Sequence, residues 1–240
     1  MKNKLFCLTN NILYSCLFLL VACTACSRKD RVRGTQTQLL VVNASPNSGA
    51  LELYQNLRQV GGGSFRYLNT PEWNSPVVFL ADSGFQQYQV RRGNELVANY
   101  LLINTGTANS IWMFDTVAAG RFRCILLEDK LDTPGRAKAK IRLIHLSPDA
   151  DTVQLLLNAA TVAADWSYFS QDLVNRTSLD EFLVVDTGWV QFRVRQKRTL
   201  QVVKDQRLYL KPNGVYSLVL KGYLNRGGAD SLSLTRIIHN

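Results

Sequence analysis

The side chains best suited to chemistry fall into three groups. They are Cys23-Thr24-Ala25-Cys26 near the start, His145 with Ser147, Asp149 and Asp151, and the aromatic residues Trp73, Phe85, Trp166 and Trp189. The cysteines have the C-x-x-C spacing of a redox pair or half a zinc site, but no second such pair completes it. His145 beside Ser147 has the makings of a base and a nucleophile, yet a polar residue that ends a strand before a turn accounts for it more simply. Asp149 and Asp151 offer oxygens to calcium, which takes six to eight; two acids in a turn are more often simply solvated. The sequence holds no His-Glu-x-x-His, no Gly-x-Ser-x-Gly and no phosphate loop, since Gly61-Gly62-Gly63-Ser64 lacks the Lys that such a loop needs. We therefore read the chain as a non-enzyme with no cofactor and no metal. A hydrolase is the remote alternative. It would need two carboxylates about 5–5.5 or 6.5–9.5 Å apart, and nothing in the linear sequence places such a pair.

The first cysteine has a different meaning in its context. Lys2 and Lys4 precede an apolar run, Leu13 to Ala22, which is shorter than the roughly 20 residues that span a bilayer. It has the form of the apolar region of a secretory signal. Leu20-Val21-Ala22-Cys23 at its end resembles the lipobox of bacterial lipoproteins. The expectation is cleavage of residues 1–22, lipid on Cys23, and a basic tether over 23–37 with Arg28, Lys29, Arg31 and Arg33 opposed only by Asp30. An acylated Cys23 has no thiol left for redox or metal work. Cys26 and Cys124 remain, either paired or with Cys124 as a small buried hydrophobe.

Removing Lys2 and Lys4 lowers the formal net charge from +10 to +8. Export argues against nucleic acid as the partner of this basic chain. Thr24, rather than an aspartate, follows the lipidated cysteine, which under enterobacterial-type sorting implies the outer membrane, with the periplasmic and surface sides both open. The expected partners are the membrane, through lipid on Cys23, and a polysaccharide or another envelope protein.

The chain also repeats itself. Leu39 to Asn56 lies over Ile141 to Asn158, with Ser45-Pro46-Asn47 matching Ser147-Pro148-Asp149 and Asn43 matching His145. Asp82-Ser83-Gly84-Phe85 lies over Asp186-Thr187-Gly188-Trp189, and each is followed by alternating residues. Val190, Phe192 and Val194 alternate with Gln191, Arg193 and Arg195, as Tyr88 and Val90 alternate with Gln87, Gln89 and Arg91; this is the two-residue period of a strand. Short strands with frequent turn signals over about 100 residues indicate a sandwich. The expected fold is all-β: two tandem antiparallel, immunoglobulin-like β-sandwiches over 38–130 and 140–240, joined by a linker at 131–139 that contains Pro134-Gly135. Toward the C-terminus, Ile111–Phe114 over Tyr216–Val219 and Phe122–Leu127 over the last strand is preferred to the alternative of Gly120 over Gly214, because it gives both repeats the same strands.

Ala137-Lys138-Ala139-Lys140-Ile141-Arg142-Leu143-Ile144-His145-Leu146-Ser147-Pro148-Asp149 resembles the opening of a repeat in the domain of unknown function 4397 family. Those are exported bacterial proteins, often lipoproteins, with tandem β-sandwiches. The resemblance extends over about residues 38–240, although Asp151 stands where the family usually has Pro. It implies a fold and an address, and no activity.

For ligand binding the aromatic residues are the candidates. Phe85 and Trp189 open matching strands on the Gln/Arg side of the alternation, with Gln191 and Arg193 alongside; Trp73 and Trp166 lie in the long segments after the second strand of each repeat. An exposed ring beside amides and guanidiniums suits a sugar, whose C–H faces stack on the ring while its hydroxyls bond the polar groups. The competing reading buries these rings under loops at the sandwich ends. The leading function is thus a non-catalytic binding or structural module of the envelope, with a carbohydrate-binding or adhesion module as the alternative.

Overall fold

The alternating blocks become paired strands in the computed structural model. It describes residues 36–239 apart from 62, 69–71, 74–77, 105, 117–121 and 169–178, with backbone alone at 72–73 and 103–104. The signal segment, Cys23, Cys26 and the tether before residue 36 lie outside the described residues. The first repeat supplies β1 (Gln36–Asn43), β2 (Glu52–Gln55), β3 (Arg58–Gln59), β4 (Glu72–Trp73), β5 (Val78–Asp82), β6 (Gly84–Arg92), β7 (Glu95–Asn104), β8 (Asn109–Phe114) and β9 (Arg123–Glu128). The second supplies β10 (Lys138–Leu146), β11 (Val153–Leu157), β12 (Ala160–Trp166), β13 (Leu183–Asp186), β14 (Gly188–Gln196), β15 (Val202–Leu210), β16 (Val215–Lys221) and β17 (Ser233–Ile238).

Each repeat builds the same two sheets. One has the order β5-β1-β8-β9, matched by β13-β10-β16-β17; the other has β3-β2-β6-β7, matched by β12-β11-β14-β15. Among the described strands, pairing within a repeat is antiparallel except for β1 with β8 and β10 with β16, which run parallel. The chain is all-β, with two tandem sandwiches. β8 corresponds to β16 and β9 to β17, as the preferred alignment requires. The parallel registers Leu39 to Asn109 and Ile141 to Tyr216 set Ile111 over Leu218, two residues from the sequence alignment. A slip of two keeps every side chain on its own face, which is why the pattern alone does not detect it.

Local chemistry fixes the strand ends. The Asn43 side chain accepts from the Ser45 N–H at 3.0 Å and donates to the Phe65 carbonyl at 3.0 Å. His145 does the same work in the second repeat: Nδ1 accepts from the Ser147 N–H at 3.3 Å, and Nε2 faces the Asp151 carbonyl at 3.0 Å. The Asn that closes each sequence block is also explained. Asn56 and Asn158 adopt left-handed backbone, with φ of 48° and 46°. Their side chains accept from the N–H groups of Gln87 and Gln191, tying the turn to the next strand.

Val190, Phe192, Val194, Tyr88 and Val90 all point inward and are buried. Three apolar cores result. One lies inside the first sandwich around Leu53, Tyr88 and Ile111, and another inside the second around Leu155, Phe192 and Leu218. The third is formed between the repeats by Leu40, Val42, Trp112, Phe114, Ile125 and Leu127 against Ile144, Leu146, Val219 and Ile237. The two sandwiches therefore stack through a shared core, and residues 35–240 make one compact unit.

Equivalent positions meet across that core, as they do in the self-complementary interface of a symmetric dimer. Asp129 follows β9 as His239 follows β17, and the two side chains lie 3.5 Å apart. Ser110 and Ser217 are also equivalent, and both bond Arg142, at 3.1 and 3.0 Å. Segments cross as well: β4 pairs with β17 of the other repeat, while Asp180 accepts from the Glu128 N–H at the edge of β9 at 3.2 Å. β4 thereby covers the edge of β17, which would otherwise be open to aggregation.

Candidate functional site

The Asp-Ser-Gly and Asp-Thr-Gly turns aim the candidate rings. Gly84 and Gly188 have φ of 87° and 99°, a backbone that residues with a Cβ rarely adopt. The next side chain then starts on the outer face of its sheet. Phe85 is 71% exposed and Trp189 59% exposed. The parity read from the sequence places both rings outward, as observed.

Around Trp189 the outer face is built by β14 and β15, whose register sets Trp189 opposite Tyr209, Gln191 opposite Arg207 and Arg193 opposite Asp205. The Trp189 and Tyr209 rings meet edge to face, with centroids 5.5 Å apart. The Arg207 guanidinium sits 5.3 Å from the indole centroid. Gln191 donates to one Asp205 oxygen, and Arg193 bonds the other at 3.0 Å. These two donors, Gln191 first, hold the Asp205 carboxyl below its usual pKa. Arg195 continues the row and donates to Gln154 at 2.7 Å. The result is a flat strip with an aromatic pair at one end and polar groups along it. It brings together three of the sequence candidates: Trp189, Gln191 and Arg193.

The equivalent face of the first repeat differs. Phe85 opens it, and Gln87 bonds Asn99 at 3.1 Å, but Leu101, 69% exposed, stands where the second repeat has Arg207. Tyr54 donates to Glu52 at 3.0 Å, with Arg91 5.1 Å from its ring.

The remaining candidates go elsewhere. Trp166 is 7% exposed in the core of the second sandwich and lies edge-on to His145. It ends β12, and its pairing with Val153 matches that of Phe65 with Leu51, so its counterpart is Phe65. Its indole is a packing element and leaves the set of surfaces open to ligand. Trp73 lies on β4, paired with the second repeat, and its side chain lies outside the described residues. His145 has both ring nitrogens committed to the turn, and burial pushes its pKa down to about 4. Asp149 accepts from the Leu224 N–H at 2.8 Å, so it ties a loop to the turn. Among the described residues no group of three or more His, Cys, Asp or Glu side chains is placed to hold a metal ion. Cys124 is partly buried against the core of the first sandwich, and burial raises its thiol pKa.

Sequence reasoning missed Tyr209 and Arg207, which complete the strip. Their signal was present in the alternation of Asp205, Arg207 and Tyr209 with Leu208 and Leu210, but only the pairing of β15 with β14 joins them to Trp189.

The crystal structure of a family 26 carbohydrate-binding module from Eubacterium rectale Amy13K, in complex with maltoheptaose, aligns over 84% of this chain and 96% of that one. The TM-score is 0.27 at 10% identity, too slight a likeness to bear on fold or ligand. No curated protein sequence matches the chain. The sequence profile of the domain of unknown function DUF4397 matches residues 37–156, from β1 into β11. That stretch is half of the 240 residues and takes in the first repeat and the opening of the second, so the chain belongs to the DUF4397 family.

Proposed function

We propose that this protein is a lipid-anchored, non-catalytic binding module of the bacterial cell envelope, with a polysaccharide as the ligand of its second repeat. The address rests on Leu20-Val21-Ala22-Cys23 after the apolar run, and the outer membrane is the favoured location. Intact mass of membrane-extracted protein should show acyl chains on an N-terminal Cys23; an uncut signal or a free thiol there contradicts the tether.

The observation that carries the ligand reading is the exposed Trp189 ring, held against Tyr209 and beside Gln191, Arg193 and Arg207. Fixing an aromatic ring in water with its polar neighbours already ordered lowers the entropy lost on binding. The first repeat's Phe85 and Leu101 form a more apolar face, the surface suited to another envelope protein. Trp189→Ala should weaken retention in polysaccharide affinity gels about tenfold, equivalent to roughly 1.4 kcal/mol, without lowering the melting temperature appreciably. Unchanged retention, or unfolding of the second repeat, contradicts the reading.

A further inference from the structure

Resting on that reading, we infer that the strip on β14 and β15 recognises a polysaccharide that carries carboxylates, through Arg207 beside Trp189. Arg193, Arg195 and Arg207 line this outer face, and the strip's acid, Asp205, is already bonded to Arg193 and Gln191. The Arg207 side chain makes no hydrogen bond or ion pair among the described residues. Its ring contact positions it without using its N–H donors. A guanidinium presents those donors in a fork that fits a carboxylate two bonds at a time. A uronate bound there would lie along the indole, with its hydroxyls within reach of Gln191 and Asp205.

The first repeat provides the internal comparison. Arg207 is replaced by Leu101, Arg193 by Gln89 and Asp205 by Asn99, and Arg91 stands opposite the acid Glu52 where Arg195 stands opposite the neutral Gln154. Two copies of one sheet have thus diverged at the same positions, one toward arginine and the other toward neutral groups. An anionic membrane fits the strip less well than a single glycan chain. A flat bilayer would press Asp205 against phosphate headgroups, whereas a polymer chain sets its acid on Arg207 and its hydroxyls on Asp205.

The test uses the mature chain in affinity electrophoresis against polygalacturonate, alginate and hyaluronate, each beside its carboxyl-reduced form, and against vesicles containing phosphatidylglycerol. Wild-type protein should bind at least one acidic polymer about tenfold more tightly than its reduced form. Arg207→Gln should remove most of that preference and leave binding to the reduced polymer unchanged; Trp189→Ala should weaken both, and Phe85→Ala neither. Equal binding to the acidic and reduced polymers overturns the carboxylate assignment while leaving polysaccharide binding intact. Binding to none of them overturns both. Preferential binding to the vesicles, or loss with Phe85→Ala equal to that with Arg207→Gln, overturns this assignment of ligand or of place.

Discussion

Replacing Arg142 by Leu is expected to lower the unfolding free energy by about 3–5 kcal/mol, the usual consequence of leaving one partner of a buried ion pair uncompensated. Arg142 is fully buried on β10, and its guanidinium lies 2.7 Å from Asp129, which is also buried. It bonds Ser110, Ser217 and the Glu128 carbonyl, and sits 4.9 Å from the Phe182 ring and 5.8 Å from that of Trp112. Burial by itself would raise the Asp129 carboxyl, but Arg142, His239 and Ser110 outweigh it and hold it below 3.8. Because its folded pKa is depressed, this group stabilises the fold above 3.8, and its contribution is lost as pH falls through the lower folded value. Leucine itself fits the fold at this place, since Leu40 fills the equivalent position in the first repeat. The loss should therefore come from the stranded carboxylate. Adding Asp129→Asn to Arg142→Leu should recover more than half of it, a coupling that urea unfolding of the two single variants and the double variant measures directly. A loss below about 1 kcal/mol in the single variant would show that the network does not hold the repeats together.

The second large effect is acid sensitivity at His145. Its pKa falls from 6.5 to about 4, first through burial, which the bonds to backbone offset only in part. The folded state thus resists a proton that the unfolded chain accepts. The contribution is fully present above pH 6.5 and is lost as pH falls toward about 4, a change of roughly 3 kcal/mol. His145→Asn should abolish this dependence and keep the turn, because Asn43 already does the same work in the first repeat. Stability curves from pH 7.5 to 4 should therefore converge, or cross in favour of the variant, as pH falls. Parallel curves for wild type and variant would contradict the assignment.

The parts of this fold that repeat were legible in the sequence, and the parts joining the repeats were not. Alternation around Tyr88 and Phe192 set the faces of β6 and β14. Ser-Pro turns marked strand ends, and Asn43 standing over His145 marked a turn device common to both repeats. Local patterns suffice there because each feature depends on neighbours along the chain or across one hairpin. Arg142 shows where they stop. It is the charged residue in the run from Ile141 to Leu146, opposite Leu40, and that mismatch was the signal, but its partner Asp129 lies before the linker and meets it only when the sandwiches stack. Tyr67 and Tyr168 are a similar case: the first lies against Lys221 of the second repeat, 4.4 Å from its ring, and the second donates to Asp115 of the first. Burial at that junction lowers the pKa of Lys221 to about 8. The match of Trp166 with Phe65 is not legible in the sequence either, because it shows only in the cross-strand pairing of Trp166 with Val153 and of Phe65 with Leu51.

The most direct test of the proposed function is a titration of nitrogen-15-labelled mature protein with the polysaccharide that binds most tightly, followed through the indole N–H signals of its four tryptophans. The Trp189 signal should move or broaden in proportion to occupancy. Those of Trp112, fully buried and bonded to Ser110 at 2.8 Å, and of Trp166, buried in its sandwich, should stay in place. Saturable binding that leaves the Trp189 signal unmoved would contradict the central claim.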